Sequence, residues 1–235
     1  MRKHAEESAK AFVSERFPDC RTAILGGSIV RGEGTAKSDL DIVVIDEAVE
    51  SAYRESFHVS DWPVELFVHN LTSYKAFFKS DAERGRPSLP NMFAEGVVLQ
   101  DDGLAHVVKQ EAQTLLDKGP ERWTPSEIRA KRYAISELLE DLEGSDDDDE
   151  DLFIVSALAE HLHEFVLRTN GCWIGEAKWI VRALRRYDEA FARKFSSVFK
   201  DFYRSGNKEE VIVFADEILK TFGSRLFDGF SAGKS

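Results

Sequence analysis

Two aspartates two residues apart, Asp39 and Asp41, stand at the mouth of the apolar run Leu40–Ile45. Burying unpaired charge costs more than the propensity of one strand recovers. On a strand, positions i and i+2 share a face, which sets these like charges side by side at about 6–7 Å along the chain. A divalent cation relieves that repulsion. Upstream, with ten residues between, lies Gly26-Gly27-Ser28, a turn whose bare backbone N–H groups suit an anion. Downstream, the alternating run Val64-Glu65-Leu66-Phe67-Val68-His69 carries a lone carboxylate mid-strand. If that strand pairs beside the first, Asp39, Asp41 and Glu65 converge. Three carboxylates can hold two Mg²⁺ ions, which clamp the attacking and leaving oxygens of an in-line displacement. A phosphate cradle facing such a site points to phosphoryl or nucleotidyl transfer.

Each of these features has a plainer reading. Ser38-Asp39 can cap a turn at a strand edge, Glu65 can face solvent, and a glycine pair can be only a turn. The position of Asp41 inside the apolar run and the spacing from Ser28 to Asp39 weigh for the chemical reading. Elsewhere, His161 and His163 diverge by about 200° on a helix and cannot share a metal as an i, i+4 pair does. Gly233-Lys234-Ser235 mimics the end of a phosphate-binding loop but lacks the glycine spacing and a following helix. The six carboxylates from Asp146 to Asp151 read as a solvated, mobile linker, with attraction of a cationic substrate as the alternative.

The elements that must position these residues follow from periodicity. A helix is expected over 3–17 and ends at Pro18-Asp19. Strands are expected over 22–25, 40–45, 57–59, 64–69 and 96–99, with a helix or loop over 47–55, a turn at Asp61-Trp62-Pro63, a helix around Tyr74 and Phe78, a loop over 85–90 and a helix over 104–117. After Gly119-Pro120 the strand signals stop. Thr124-Pro125-Ser126-Glu127 has the composition of a helix start. Helices follow to about Leu142 and near 152–169, 175–187, 189–204 and 207–222, and the recurring Phe191, Phe195, Phe199, Phe202 and Tyr203 read as core. The expected fold is α+β: a small mixed sheet with helices over 1–120, then an all-α helical bundle over 121–235.

Composition bounds the partners. The 235-residue chain has a net charge of −12, which disfavours a nucleic-acid role and suits a small substrate, a cationic one included. Cys20 and Cys172 form no disulfide framework or metal-ligand spacing, in keeping with a cytoplasmic protein. The charged N-terminus lacks the apolar core of a signal peptide, and no apolar run approaches the roughly 20 residues that span a membrane.

The order glycine-serine turn, about ten residues, Asp-x-Asp, then an acidic residue on a neighbouring strand resembles the DNA polymerase β-like nucleotidyltransferase superfamily. A short N-terminal domain before a helical one is similar to its aminoglycoside and lincosamide nucleotidyltransferase branch. The stretch from Arg168 to Trp179 resembles a streptomycin/spectinomycin adenylyltransferase pattern, a threonine-glycine turn before a helix carrying a lysine and a tryptophan. The resemblance implies that Gly27 and Ser28 hold the triphosphate tail of ATP, that Asp39 and Asp41 bind Mg²⁺, and that Glu65 is a third metal ligand or the general base. It implies phosphate contacts from Lys178, with ATP between the two domains; Arg31 and Lys37 lie near enough to the turn to touch phosphates too. The implied reaction moves AMP to a hydroxyl of a small molecule, an antibiotic among the candidates, as in resistance enzymes, and releases pyrophosphate. The alternatives are a minimal nucleotidyltransferase antitoxin acting on a protein or tRNA, and a nucleotide-binding module without catalysis.

Overall fold

The protein is described from a computed structural model covering residues 5–233; residues 3 and 4 of the expected first helix, and Lys234 and Ser235, lie outside the described residues. The chain divides into two compact units, Met1–Gly119 and Pro120–Ser235.

In the first unit, α1 (Ala5–Arg16) leads to β1 (Thr22–Gly26), the single turn α2 (Gly27–Val30), β2 (Leu40–Ile45), the hairpin β3 (Tyr53–Val59) and β4 (Trp62–His69), then α3 (Ser73–Arg84), α4 (Ser88–Glu95), β5 (Val97–Asp101) and α5 (Ala105–Lys118). The strands form one mixed sheet in the order β3-β4-β2-β1-β5. The β2–β4 pairing is parallel and the others are antiparallel. Helices cover both faces, which is why β1 and β2 read as unbroken apolar runs. One face packs Leu40, Ile42, Val64 and Leu66 against Ala9, Val13 and Phe17 of the α1 side. The other packs Ile24, Val43 and Ile45 against Tyr74, Phe78, Phe93 and Val108 of α3, α4 and α5. By strand alternation Asp41 lies on the face of Val43, and Glu65 on the face of Phe67.

Three expectations for this unit are corrected. Tyr53, Arg54 and Glu55 belong to β3, not to a helix or loop. Glu55 interrupts an otherwise alternating strand, and its charge is met by Arg16 at 2.5 Å. The tight turn is Ser60-Asp61, with Ser60 at φ 54°, and Trp62 and Pro63 are already in β4. Pro63 lies outside the register of β2, which begins at Leu40↔Val64, so its missing N–H costs that ladder nothing. Finally, α4 starts at Ser88, inside the expected loop. Pro90 falls in its first turn, where no intrahelical donor is needed, and the buried Asp81 carboxylate accepts the Leu89 N–H at 2.8 Å.

The second unit holds α6 (Pro125–Gly144), α7 (Asp148–Thr169), α8 (Lys178–Tyr187), α9 (Glu189–Ser205) and α10 (Glu209–Lys220) around a shared apolar core. Thr124 and Glu127 close a reciprocal capping box at the start of α6. The acidic run is not a linker. Asp147 caps α7 by accepting the N–H groups of Asp149 and Glu150, and Asp148 through Asp151 form its first turn. Negative charge is favoured there by the helix dipole. Asp151 turns inward, 5% exposed, and meets Lys208 at 3.2 Å. His163 is buried with its ring nitrogens against the Ala159 and Gly175 carbonyls. Phe195, Phe199 and Phe202 are core, whereas Tyr203 is half exposed and its hydroxyl meets that of Ser156. No helix among the described residues is long and apolar enough to cross a membrane.

Candidate functional site

Two pairings assemble the site. The antiparallel β1–β2 pair sets Gly26 opposite Asp41, so the glycine-serine turn and the aspartates, separate in sequence, become neighbours. The parallel β2–β4 pair sets Asp41 opposite Glu65. Asp39, just before β2, shares the face of Asp41. The three carboxylates each present an oxygen, all within 4.8 Å of one another, and all three residues are half-buried.

Asp39, Asp41 and Glu65 fit a divalent cation. The donors are all oxygen, as Mg²⁺ prefers, and with metal–oxygen distances of about 2.1 Å its ligands lie within about 4.2 Å of each other. Small side-chain rotations close that difference. Gly27 completes the fit. Its φ is +77°, and a Cβ placed there would overlap the Asp41 carboxylate. Only a glycine lets the backbone of the turn approach so closely. Gly27 and Ser28 open α2, where first-turn N–H groups have no intrahelical acceptor and can serve an anion. The Ser28 hydroxyl lies 3.2 Å from that of Ser38, and Ser38 in turn accepts the Thr35 N–H at 2.8 Å. This holds the 31–39 loop over the turn.

The other residues expected to touch phosphates are placed as follows. Arg31, the C-cap of α2, is engaged by Glu33 at 3.3 Å and Glu95 at 3.1 Å. Lys37 is exposed in the loop. Lys178 opens α8 in the second unit and is exposed. Arg54 is the residue that sequence reasoning missed. It sits on β3 and its guanidinium donates to Glu65 at 2.6 Å. The alternation of Tyr53, Phe57 and Val59, interrupted at Glu55, is the faint signal of a strand there, with Arg54 on the opposite face.

At the C-terminal end of β4 the chemistry changes. His69 is 3% exposed, against 31% for the Glu65 side chain. Burial lowers its pKa to about 4, which keeps the imidazole neutral. Tyr74 is also buried, and burial with a hydrogen bond to Glu111 raises its pKa.

No curated protein matches this chain. Among solved structures, a nucleotidyltransferase-like protein from Exiguobacterium sibiricum 255-15 is similar at 12% identity and a TM-score of 0.49, over 93% of this chain and 75% of that one. Residues 6–88, the span that contains Gly27, Ser28, Asp39, Asp41, Arg54 and Glu65, match the family described as the nucleotidyltransferase domain.

Proposed function

We propose that the chain is a Mg²⁺-dependent nucleotidyltransferase that moves AMP from ATP to a hydroxyl of a small molecule and releases pyrophosphate. The domain match supports nucleotidyl transfer in general. The observation that carries the finer reading is the convergence of Asp39, Asp41 and Glu65 beside a turn whose positive φ and close approach to Asp41 favour glycine.

Gly27 and Ser28 receive the triphosphate tail through backbone N–H groups and the serine hydroxyl. Asp39, just before β2, and Asp41 within it would hold the divalent ions, and Glu65 faces them from β4. When bound, two such ions neutralise the phosphates and ease deprotonation of the acceptor hydroxyl. The acceptor oxygen forms a bond to the α-phosphorus as the α–β bridging bond breaks, and pyrophosphate leaves with the electron pair. In the general-base role Glu65 takes the hydroxyl proton; in the ligand role that proton passes to solvent. A net charge of −12 favours a cationic polyhydroxylated acceptor of the aminoglycoside kind over a polyanion.

The test is a pyrophosphate-release screen with ATP, Mg²⁺ and a panel of aminoglycosides, lincosamides and other polyhydroxylated compounds. Turnover is expected with at least one acceptor and is lost in Asp39→Asn and Asp41→Asn. Wild-type turnover in either variant removes the metal assignment.

A further inference from the structure

Three carboxylates with oxygens within 4.8 Å of one another repel, and the fold sets a cation against one of them, Glu65. In the β3–β4 ladder Ser56 lies opposite Glu65 and Arg54 opposite Phe67. Arg54 is therefore the diagonal neighbour of Glu65 on the same face, within reach of a long side chain. Its guanidinium lies 5.1 Å from the centre of the Phe67 ring and donates to Glu65 Oε1 at 2.6 Å. The ring and the carboxylate together define one orientation for it.

The pair is not sealed in. The Arg54 side chain is 57% exposed and that of Glu65 is 31% exposed. An ion pair this open is weak and can exchange. A divalent cation drawing on Glu65 Oε1 meets the same lone pairs that Arg54 holds.

We propose that Arg54 is the resident counter-cation of the carboxylate trio: it holds Glu65 in the metal-free protein and yields Oε1 when a divalent ion binds. This rests on the reading of Asp39, Asp41 and Glu65 as a metal site. Arg54 is a positioning residue, and it sets the ion concentration at which the site fills. Removing it relieves the ion of a competitor. The opposite role, in which Arg54 orients Glu65 for the ion, makes the opposite prediction, so metal affinity separates the two.

The experiment is calorimetric titration of Mn²⁺, with no nucleotide, into the full chain as wild type, Arg54→Gln, Arg54→Met and Asp41→Asn, with a thermal melt of each. Arg54→Met keeps an aliphatic stem over Phe67 and provides a second variant if Arg54→Gln folds poorly. Loss of an exposed pair predicts Mn²⁺ dissociation constants about three- to five-fold lower in both Arg54 variants. Unchanged or weaker Mn²⁺ binding in folded Arg54 variants overturns the proposal. If Asp41→Asn loses Mn²⁺ in that same experiment, the metal site itself stands and only the role of Arg54 falls. Wild type that binds no Mn²⁺, or Asp41→Asn that binds it like wild type, removes the metal reading and this inference with it.

Discussion

Two groups of carboxylates in this chain solve the same electrostatic problem in opposite ways. Asp39, just before β2, Asp41 within it and Glu65 on the parallel β4 bring their carboxylate oxygens within 4.8 Å of one another, with Arg54 against Glu65. The run from Asp146 to Asp151 is continuous, opens a helix and fans its side chains outward, Asp151 excepted. Strand geometry concentrates charge because alternate residues share a face, whereas helical geometry turns each successive side chain by about 100°. The first group can hold a small cation. The second is offset by backbone N–H groups and by Lys208, whose ammonium meets Asp151 at 3.2 Å and the Ser145 carbonyl at 2.6 Å.

The strongest way to break this contrast is at Asp41. Asp41→Asn is expected to lower turnover by about a thousand-fold or more, the scale on which removing a transition-state charge contact acts, with a melting temperature equal to or above wild type because a like charge is gone. Gly27→Ala is expected to cost nearly as much activity, since its Cβ displaces the Asp41 carboxylate. Unlike Asp41→Asn it also destabilises, by roughly 1 kcal/mol or more for a left-handed φ alone. Steady-state pyrophosphate release and thermal melts separate the two signatures. Asp147→Ala is expected to leave turnover untouched, and a large loss of activity there collapses the distinction between the two groups.

What could be read from the sequence follows from the same contrast. The carboxylate trio was legible because charge inside an apolar run is an anomaly with few physical explanations, and the central strands were legible because burial on both faces makes them continuous. Arg54 was not. It lies on an edge strand whose pattern Glu55 interrupts, and its partnership with Glu65 depends on the β3–β4 register, a property of long-range pairing. The start of α4 was hidden by Gly85, Pro87 and Pro90, because a proline that usually breaks a helix is harmless in its first turn. The acidic run was misread as a linker because like charges disfavour a helix interior, while the first turn welcomes them. For Lys178, sequence pattern supplies only a place at the start of α8.

A second contrast lies within β4. The Glu65 side chain, mid-strand, is partly exposed and paired with Arg54, whereas His69, at the end of the strand, is buried neutral, with its Nδ1 3.4 Å from the Ser73 hydroxyl and Phe77 edge-on. The folded pKa of His69, about 4, lies below its ordinary 6.5. The unfolded chain therefore binds more protons between those values, so this contribution to stability is full above pH 6.5 and is lost as pH falls toward 4. The loss reaches about 2–3 kcal/mol at the acid end. Burial lowers the pKa of His161 and His163 in the second unit in the same direction, so the effect must be isolated by substitution. Urea unfolding of wild type and His69→Leu at pH 7.5 and 4.5 checks it. The variant is expected to lose part of the acid sensitivity of the first unit, and an undiminished slope shows that His69 does not carry it.

The smaller effects sharpen the account of the acidic run. Asp147→Ala removes the side chain that accepts the Asp149 N–H at 2.8 Å and is expected to cost about 1 kcal/mol. Beyond that cap, Asp148 and Asp149 are exposed and act only through the field of the helix terminus. Asp148→Asn or Asp149→Asn is therefore expected to cost about 0.3–1 kcal/mol at low ionic strength. Their mutual repulsion subtracts from that, and both contributions fade when the screening length falls to about 3 Å near 1 M salt. The cap at Asp147 is a short-range hydrogen bond and persists under the same conditions. Urea titrations of the three variants at low salt and at 1 M NaCl test this division. A cost at Asp148 that survives high salt assigns that residue a specific bond, and a cost at Asp147 that disappears reduces the cap to charge alone.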